Sequence, residues 1–160
     1  MPYEVRWDGY CISDDRARLD LAAVHAYLAN ESYWAQGISR EQVDRQTAFS
    51  PFVFGVYREA ADDLNGIALG QLGFARVLSD TTRFAYICDV YIATAAQGQG
   101  LGKRLMGAIM AHPELVDVRR WVLATRDAHG LYAQFGFGPP RKPEMWMFID
   151  PDKTKPARWV

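Results

Sequence analysis

The chain has 160 residues, 49% of them hydrophobic, with 5 Trp, 8 Tyr and 8 Phe and a formal net charge of −1. That length suits one domain able to bury roughly 70% of its unfolded surface, and such apolar content excludes an intrinsically disordered chain. A near-neutral charge argues against nucleic acid or an anionic membrane as partner, since both are held by neutralising phosphates.

The first eight residues lack the charged-then-apolar order of a secretory leader, and no apolar run approaches about 18 residues. A cytoplasmic protein is expected. Cys11 and Cys88 form no close pair, and His25, His112 and His129 are far apart, so neither a disulfide framework nor a metal site is expected.

In chain order, residues 5–12 read as a strand. Leu19, Ala22, Ala23, Ala26 and Tyr27 then recur at helical spacing, predicting a helix over 16–29. Ser39 followed by Gln42 has the capping-box pattern, predicting a second helix over 40–49. Between these helices lies an aromatic loop with Tyr33 and Trp34.

Residues 52–57, 67–78 and 84–92 are β-rich runs separated by turn signals, among them the one over 63–66, and predict an antiparallel meander. Leu101, Leu105, Met106, Ile109 and Met110 share one helical face that ends before Pro113. A buried strand over 121–124, a short helix over 128–135 and strand material at 137 and 145–149 follow. The expected class is α/β (α+β), with one mixed sheet carrying helices on both faces. Residues 1–150 form the domain, and 151–160 a polar C-terminal tail.

The most informative segment is Gln97, Gly98, Gln99, Gly100, Leu101, Gly102, Lys103 and Arg104, between a strand and a helix. Each glycine costs a helix about 1 kcal/mol against alanine, so three in its first turn need a reason. Either they pack strand and helix closely, or they admit a phosphate to the unpaired N–H groups and partial positive charge of a helix start. Lys103 and Arg104 add charge at the rim. A P-loop would need glycine where Gln97 stands and Ser or Thr where Arg104 stands. A dinucleotide fingerprint would need its third glycine at Lys103 or Leu105. Both fail, leaving Gln-x-x-Gly-x-Gly over Gln97, Gly100 and Gly102.

With that motif the chain resembles the GNAT superfamily of acetyl-CoA-dependent N-acetyltransferases, whose pyrophosphate-binding motif is Gln/Arg-x-x-Gly-x-Gly/Ala. Leu131, Tyr132, Gly136 and Phe137 are similar to that superfamily's Leu-Tyr-x-x-x-Gly-Phe segment. Thr125 departs from the pattern, standing where an asparagine is common. The resemblance implies a mostly antiparallel sheet with splayed central strands, acetyl-CoA as co-substrate and no metal. It implies cofactor contacts from Val90, Ile92, Gln97, Gly98, Gln99, Gly100, Leu101, Gly102 and Lys103, with Thr125 or Asp127 taking over the asparagine's contact.

The reaction so implied is direct attack of an amine on the thioester. Tyr132, with a reference pKa near 10, matches a thiolate leaving group in basicity and is the candidate general acid; its other reading is a core aromatic. Asp89, an acid inside an apolar strand, is the candidate base, with a water chain or a purely structural salt-bridged role as alternatives. Simple alternation sets Asp89 opposite Cys88 and Val90 unless a bulge intervenes. Tyr33, Trp34 and Tyr86 are candidate acceptor-pocket residues, with Phe74 and Trp146 as further wall material. The expected acceptor is a small-molecule primary amine. A peptide N-terminus or protein lysine is the alternative substrate, and a non-catalytic acyl-CoA sensor the alternative class. The resemblance also leaves room for a homodimer through the late strands.

Overall fold

The computed structural model describes residues 1–59 and 70–149. The turn expected over 63–66, the start of the strand expected at 67 and the tail over 151–160 lie outside the described residues.

The strand expected over 5–12 is a hairpin instead. Strand β1 (Glu4–Trp7) turns at Asp8 and Gly9 into β2 (Tyr10–Ser13). Both turn residues have positive φ, 40° and 77°, which matches the type I′ geometry favoured by right-twisted strands. The first helix also starts later than its periodicity implied. Asp20 accepts from the N–H groups of Ala22 and Ala23 at 3.0 Å each and so starts α1 (Leu21–Asn30), while residues Arg16–Arg18 form only a 3-10 turn.

Helix α2 (Arg40–Ala48) carries the expected capping box. Ser39 Oγ accepts from Gln42 N at 3.2 Å, and Gln42 Oε1 accepts from Ser39 N at 3.0 Å. The meander follows as β3 (Phe52–Arg58), β4 (Gly70–Ser79) and β5 (Ala85–Ile92). Asp80 holds the turn between β4 and β5, where its carboxylate accepts from the N–H groups of Phe84, Thr82 and Arg83. These three donors pull its pKa down to about 2. Helix α3 (Leu101–Met110), strand β6 (Trp121–Val122) and helix α4 (His129–Ala133) complete the order.

Among the described residues six strands pair in sequence order, all antiparallel except the parallel pair β5 and β6. Every residue of β3 is buried because both faces of the sheet are covered. Phe52, Phe54 and Val56 pack with α3 residues Leu105, Met106 and Ile109, whereas Val53 packs with Phe74, Val24, Leu28 and Val43 under α1 and α2. Alternating side chains of one strand thus feed two cores. His112 closes the α3 end of the first core, with Nε2 at 3.1 Å from Asp14 Oδ2 and Nδ1 accepting from Glu114 N at 3.2 Å. Both ring nitrogens are occupied in a structural role.

No late strand forms over 137 and 145–149. Residues Pro143–Met145 make a 3-10 turn, and Met147, Phe148 and Ile149 are exposed. Three prolines at 139, 140 and 143 remove the donors that a strand entering here would use.

Candidate active site

Two irregularities of β5 create the site. Ala85 and Tyr86 pair with Trp121 and Val122, after which β6 ends, so among the described residues the β5 edge from Ile87 onward has no strand partner on that side. The second is a bulge. Phe74 and Arg76 of β4 oppose Tyr91 and Cys88, so a two-residue step on β4 faces a three-residue step on β5. Asp89 absorbs the extra residue with φ of 53°. The shift also explains why Ile87 and Ile92, five residues apart, face the same core.

A left-handed aspartate costs roughly 1–2 kcal/mol, and here its side chain is anchored against that cost. Asp89 is 9% exposed. Its Oδ1 accepts from Trp34 Nε1 at 3.0 Å, and its Oδ2 from Gln46 Nε2 at 3.1 Å and Arg76 Nε at 2.5 Å. The carboxylate therefore ties the bulge to the loop before α2, to α2 and to β4. Oδ1 keeps one acceptor position beyond its single bond.

Beside the free edge lies a cavity of about 450 Å³. Its lining joins Tyr86, Asp89 and Val90 of β5 to Thr125 and Tyr132 beyond β6 and to Tyr33 and Trp34 of the aromatic loop. Residues expected in separate roles thus share one cleft. Tyr33 bridges its mouth: the phenol oxygen accepts from Arg126 N at 2.7 Å, and the Arg126 guanidinium lies 3.8 Å from the ring centroid. Tyr33 and Trp34 meet edge to face at 5.0 Å, so the loop is fastened to both walls.

Tyr132 is 7% exposed and packs edge-on against Phe137. Its hydroxyl makes no hydrogen bond to a described residue, and burial, helped by Tyr33 and Asp127, pushes its pKa up to about 12. The phenol therefore holds its proton throughout the neutral range. Thr125 Oγ1 accepts from Ala128 N at 3.0 Å, which starts the turn into α4 and leaves the hydroxyl proton free to donate. Burial pushes the Cys88 thiol up to about 11, so a thiolate nucleophile is scarce at neutral pH.

Past β5 the glycine turn leads into α3. Gly98 and Gly100 have φ of 79° and 76°, and a Cβ added at either would meet nothing within 4 Å. Gly100 is the N-cap of α3 and offers no side-chain acceptor, so the amides of the first turn face open space. A Cβ at Gly102 would lie 3.6 Å from Leu131 and 3.8 Å from Ile92, ordinary contact distances, so packing does not demand glycine there. Leu101 is buried and can present only its main chain. Gln97 Nε2 donates to the Ile92 carbonyl at 3.0 Å, so this pair fixes the turn and occupies one of the main-chain groups expected to be free for the cofactor. Gln99 Oε1 accepts from the Tyr10 hydroxyl, and Arg104 stacks on Trp7; Lys103 and Arg104 are both exposed at the turn.

Arg76, Gln46 and Arg126 were not legible as site residues. Arg76 looks like one polar residue of a strand, and only the register of β4 against β5 sets it beside Asp89. Phe74 packs under α1 and Trp146 stacks on Phe148, and neither lines the cleft. Among the described residues no group of three or more His, Cys, Asp or Glu could hold a metal ion.

Residues 53–139 match the family described as acetyltransferase (GNAT) domain. A candidate acetyltransferase of Gibberella zeae is 29% identical over 138 residues, covering 78% of this chain and 76% of that protein. The crystal structure of a GNAT-family protein of Xanthomonas campestris pv. campestris is 38% identical at a TM-score of 0.80, covering 91% of this chain and 95% of that one. A Clostridium acetobutylicum protein solved with acetyl-CoA is 11% identical, covers 88% of this chain and 94% of that one at a TM-score of 0.60, and so shares the fold. The matched residues span the bulged strand, the glycine turn and Tyr132, and with them this chain belongs to the GNAT family of acetyltransferases.

Proposed function

We propose that the protein transfers the acetyl group of acetyl-CoA to the primary amine of a small molecule by direct attack. The observation that carries this reading is the unpaired β5 edge, which has the open glycine turn at one end and Tyr132 across the cleft. The residues fit the co-substrate: uncapped amides at the start of α3 suit a diphosphate, and a bare strand edge suits the amides of a pantetheine arm. Bound there, acetyl-CoA supplies an activated thioester.

The chain's own groups then divide the work. Main-chain N–H groups from Gly98 to Lys103 hold the diphosphate, and Val90 offers main-chain groups beside the bulge. The amine nitrogen bonds to the acetyl carbon as the carbon–sulfur bond breaks. Tyr132 gives its phenolic proton to the departing sulfur and later regains one from solvent. The proton lost by the amine passes to water held at the remaining acceptor position of Asp89 Oδ1. Asp89 therefore acts through water, because three donors already occupy its oxygens. Trp34, Tyr33 and Tyr86 wall the acceptor side. Thr125 donates its free hydroxyl proton to the arm.

The cleft is bridged at Tyr33 and Arg126, which favours a compact acceptor over a long peptide laid across it. The exposed Met147, Phe148 and Ile149 favour a homodimer in which a second copy covers them.

The test is release of free CoA from acetyl-CoA over a panel of small amines, peptide N-termini and lysine peptides, with Tyr132→Phe as the control. Turnover with a small amine, reduced about 10²-fold or more in the variant while acetyl-CoA still binds, supports the proposal. Tight acetyl-CoA binding with no turnover on any amine would make the protein a sensor.

A further inference from the structure

Helix α2 presents a second surface that the reaction above leaves unused. Ile38, Gln42, Arg45, Gln46 and Phe49 follow one another at helical spacing along one side of α2 and its flanks, and they line a shallow groove of about 380 Å³. Phe49 is 78% exposed at its end, and the Arg45 guanidinium lies 5.9 Å from the Phe49 ring centroid. Among the described residues Arg45 forms no ion pair, although Arg40 on the same helix pairs with Asp44. The groove therefore combines an apolar floor with a cation that rests on Phe49 and has no carboxylate partner among the described residues.

Its position gives it a use. Gln46 lines this groove, and the same side chain donates to Asp89, which lines the cleft. Through this bond Gln46 joins the groove to a wall residue of the cleft. A molecule with its amine beside Asp89 and Tyr132 would extend past Gln46 and lay its remainder along α2.

We infer that the α2 groove is the distal part of the acceptor site, and that the acceptor is an amine whose apolar or aromatic body carries a carboxylate or similar anion several bonds from the nitrogen. The body lies on Ile38 and Phe49, and the anion pairs with Arg45. An anion directly beside the amine, as in an α-amino acid, would stay in the cleft and not reach Arg45. This inference rests on the acetyltransferase reading and narrows its substrate class.

The test compares phenethylamine with its para-carboxylate, using the full chain and the variants Arg45→Gln and Phe49→Ala, both at exposed positions. Binding is read by ligand-observed NMR, which needs no turnover, and kcat/KM by CoA release. The expected result is a preference for the carboxylate of about tenfold, as for a charge-assisted contact, which falls to near unity in Arg45→Gln. Phe49→Ala should weaken both amines. Equal binding of the two amines by wild type, or a preference that survives Arg45→Gln, overturns the subsite and leaves the acetyltransferase reading intact. Failure to bind acetyl-CoA overturns that reading instead, and the NMR preference still decides the subsite. A dimer that Phe49→Ala dissociates in sedimentation would show the groove to be an interface between copies and would also overturn it.

Discussion

Replacing Gly100 by alanine separates folding from ligand binding at the turn that opens α3. Its φ of 76° lies where an L-residue pays roughly 1–2 kcal/mol, and since the new Cβ meets nothing within 4 Å, backbone strain is the whole cost. For a chain of this length that corresponds to a fall in Tm of roughly 2–8 °C. Gly102→Ala provides the opposite sign. That residue is inside α3 without positive φ, its Cβ would make ordinary contacts at 3.6 and 3.8 Å, and alanine should gain about 0.5–1 kcal/mol. Binding follows a different rule, because the open space at Gly100 is where the diphosphate is proposed to lie. Gly100→Ala should therefore lose acetyl-CoA affinity about tenfold or more, worth about 1.4 kcal/mol. Differential scanning fluorimetry gives the Tm values and calorimetry the affinity. Shifts of the same sign in the two alanine variants would refute the conformational reasoning. Wild-type affinity in Gly100→Ala would refute the assignment of the phosphate to this turn.

Tyr33→Phe removes the acceptor for the Arg126 N–H but keeps the ring under the guanidinium, so it should cost about 0.5–1.5 kcal/mol and speed hydrogen exchange at the Arg126 amide. Unchanged exchange there would mean that the loop is not fastened across the cleft. The Asp80 carboxyl is lowered to about 2 in the folded chain, below its unfolded value near 3.9. The stability it gives is thus present above roughly pH 4 and lost as pH falls through about 2, so the Tm gap between wild type and Asp80→Asn should close over that window. Tyr132 has the opposite sign: its folded value of about 12 exceeds the unfolded value near 10. Its contribution is complete below about pH 10 and lost as pH rises through about 12, and a Tyr132 ionisation detected by ultraviolet difference titration near pH 10 would contradict its burial.

Much of the fold was legible where local chemistry decides it. The Ser39 and Gln42 capping box starts α2, and the apolar face that includes Leu101 and Met110 predicts a helix stopped by His112 and Pro113, where α3 runs from Leu101 to Met110. The hairpin at Asp8 and Gly9 was also written in the sequence, since Asp-Gly between β-rich runs is a strong turn signal that reading 5–12 as one strand passed over. The late strand failed for a different reason. Met145 to Ile149 have strand composition, but composition does not supply a neighbouring strand, and among the described residues none pairs with them. At the site, the glycine turn and Tyr132 were readable because their residue types are unusual where they stand. The partners of Asp89 were not, because Trp34, Gln46 and Arg76 come from three elements that meet only through the bulge and the packing of α2.

The most direct measurement is isothermal titration of the purified chain with acetyl-CoA, alongside a Gly98→Val, Gly100→Val variant whose circular dichroism shows that it is folded. Saturable heat with one site per chain is expected for wild type, and strongly weakened binding for the variant. A folded wild-type chain that gives no heat at millimolar acetyl-CoA would contradict the assignment of this turn and edge to the cofactor.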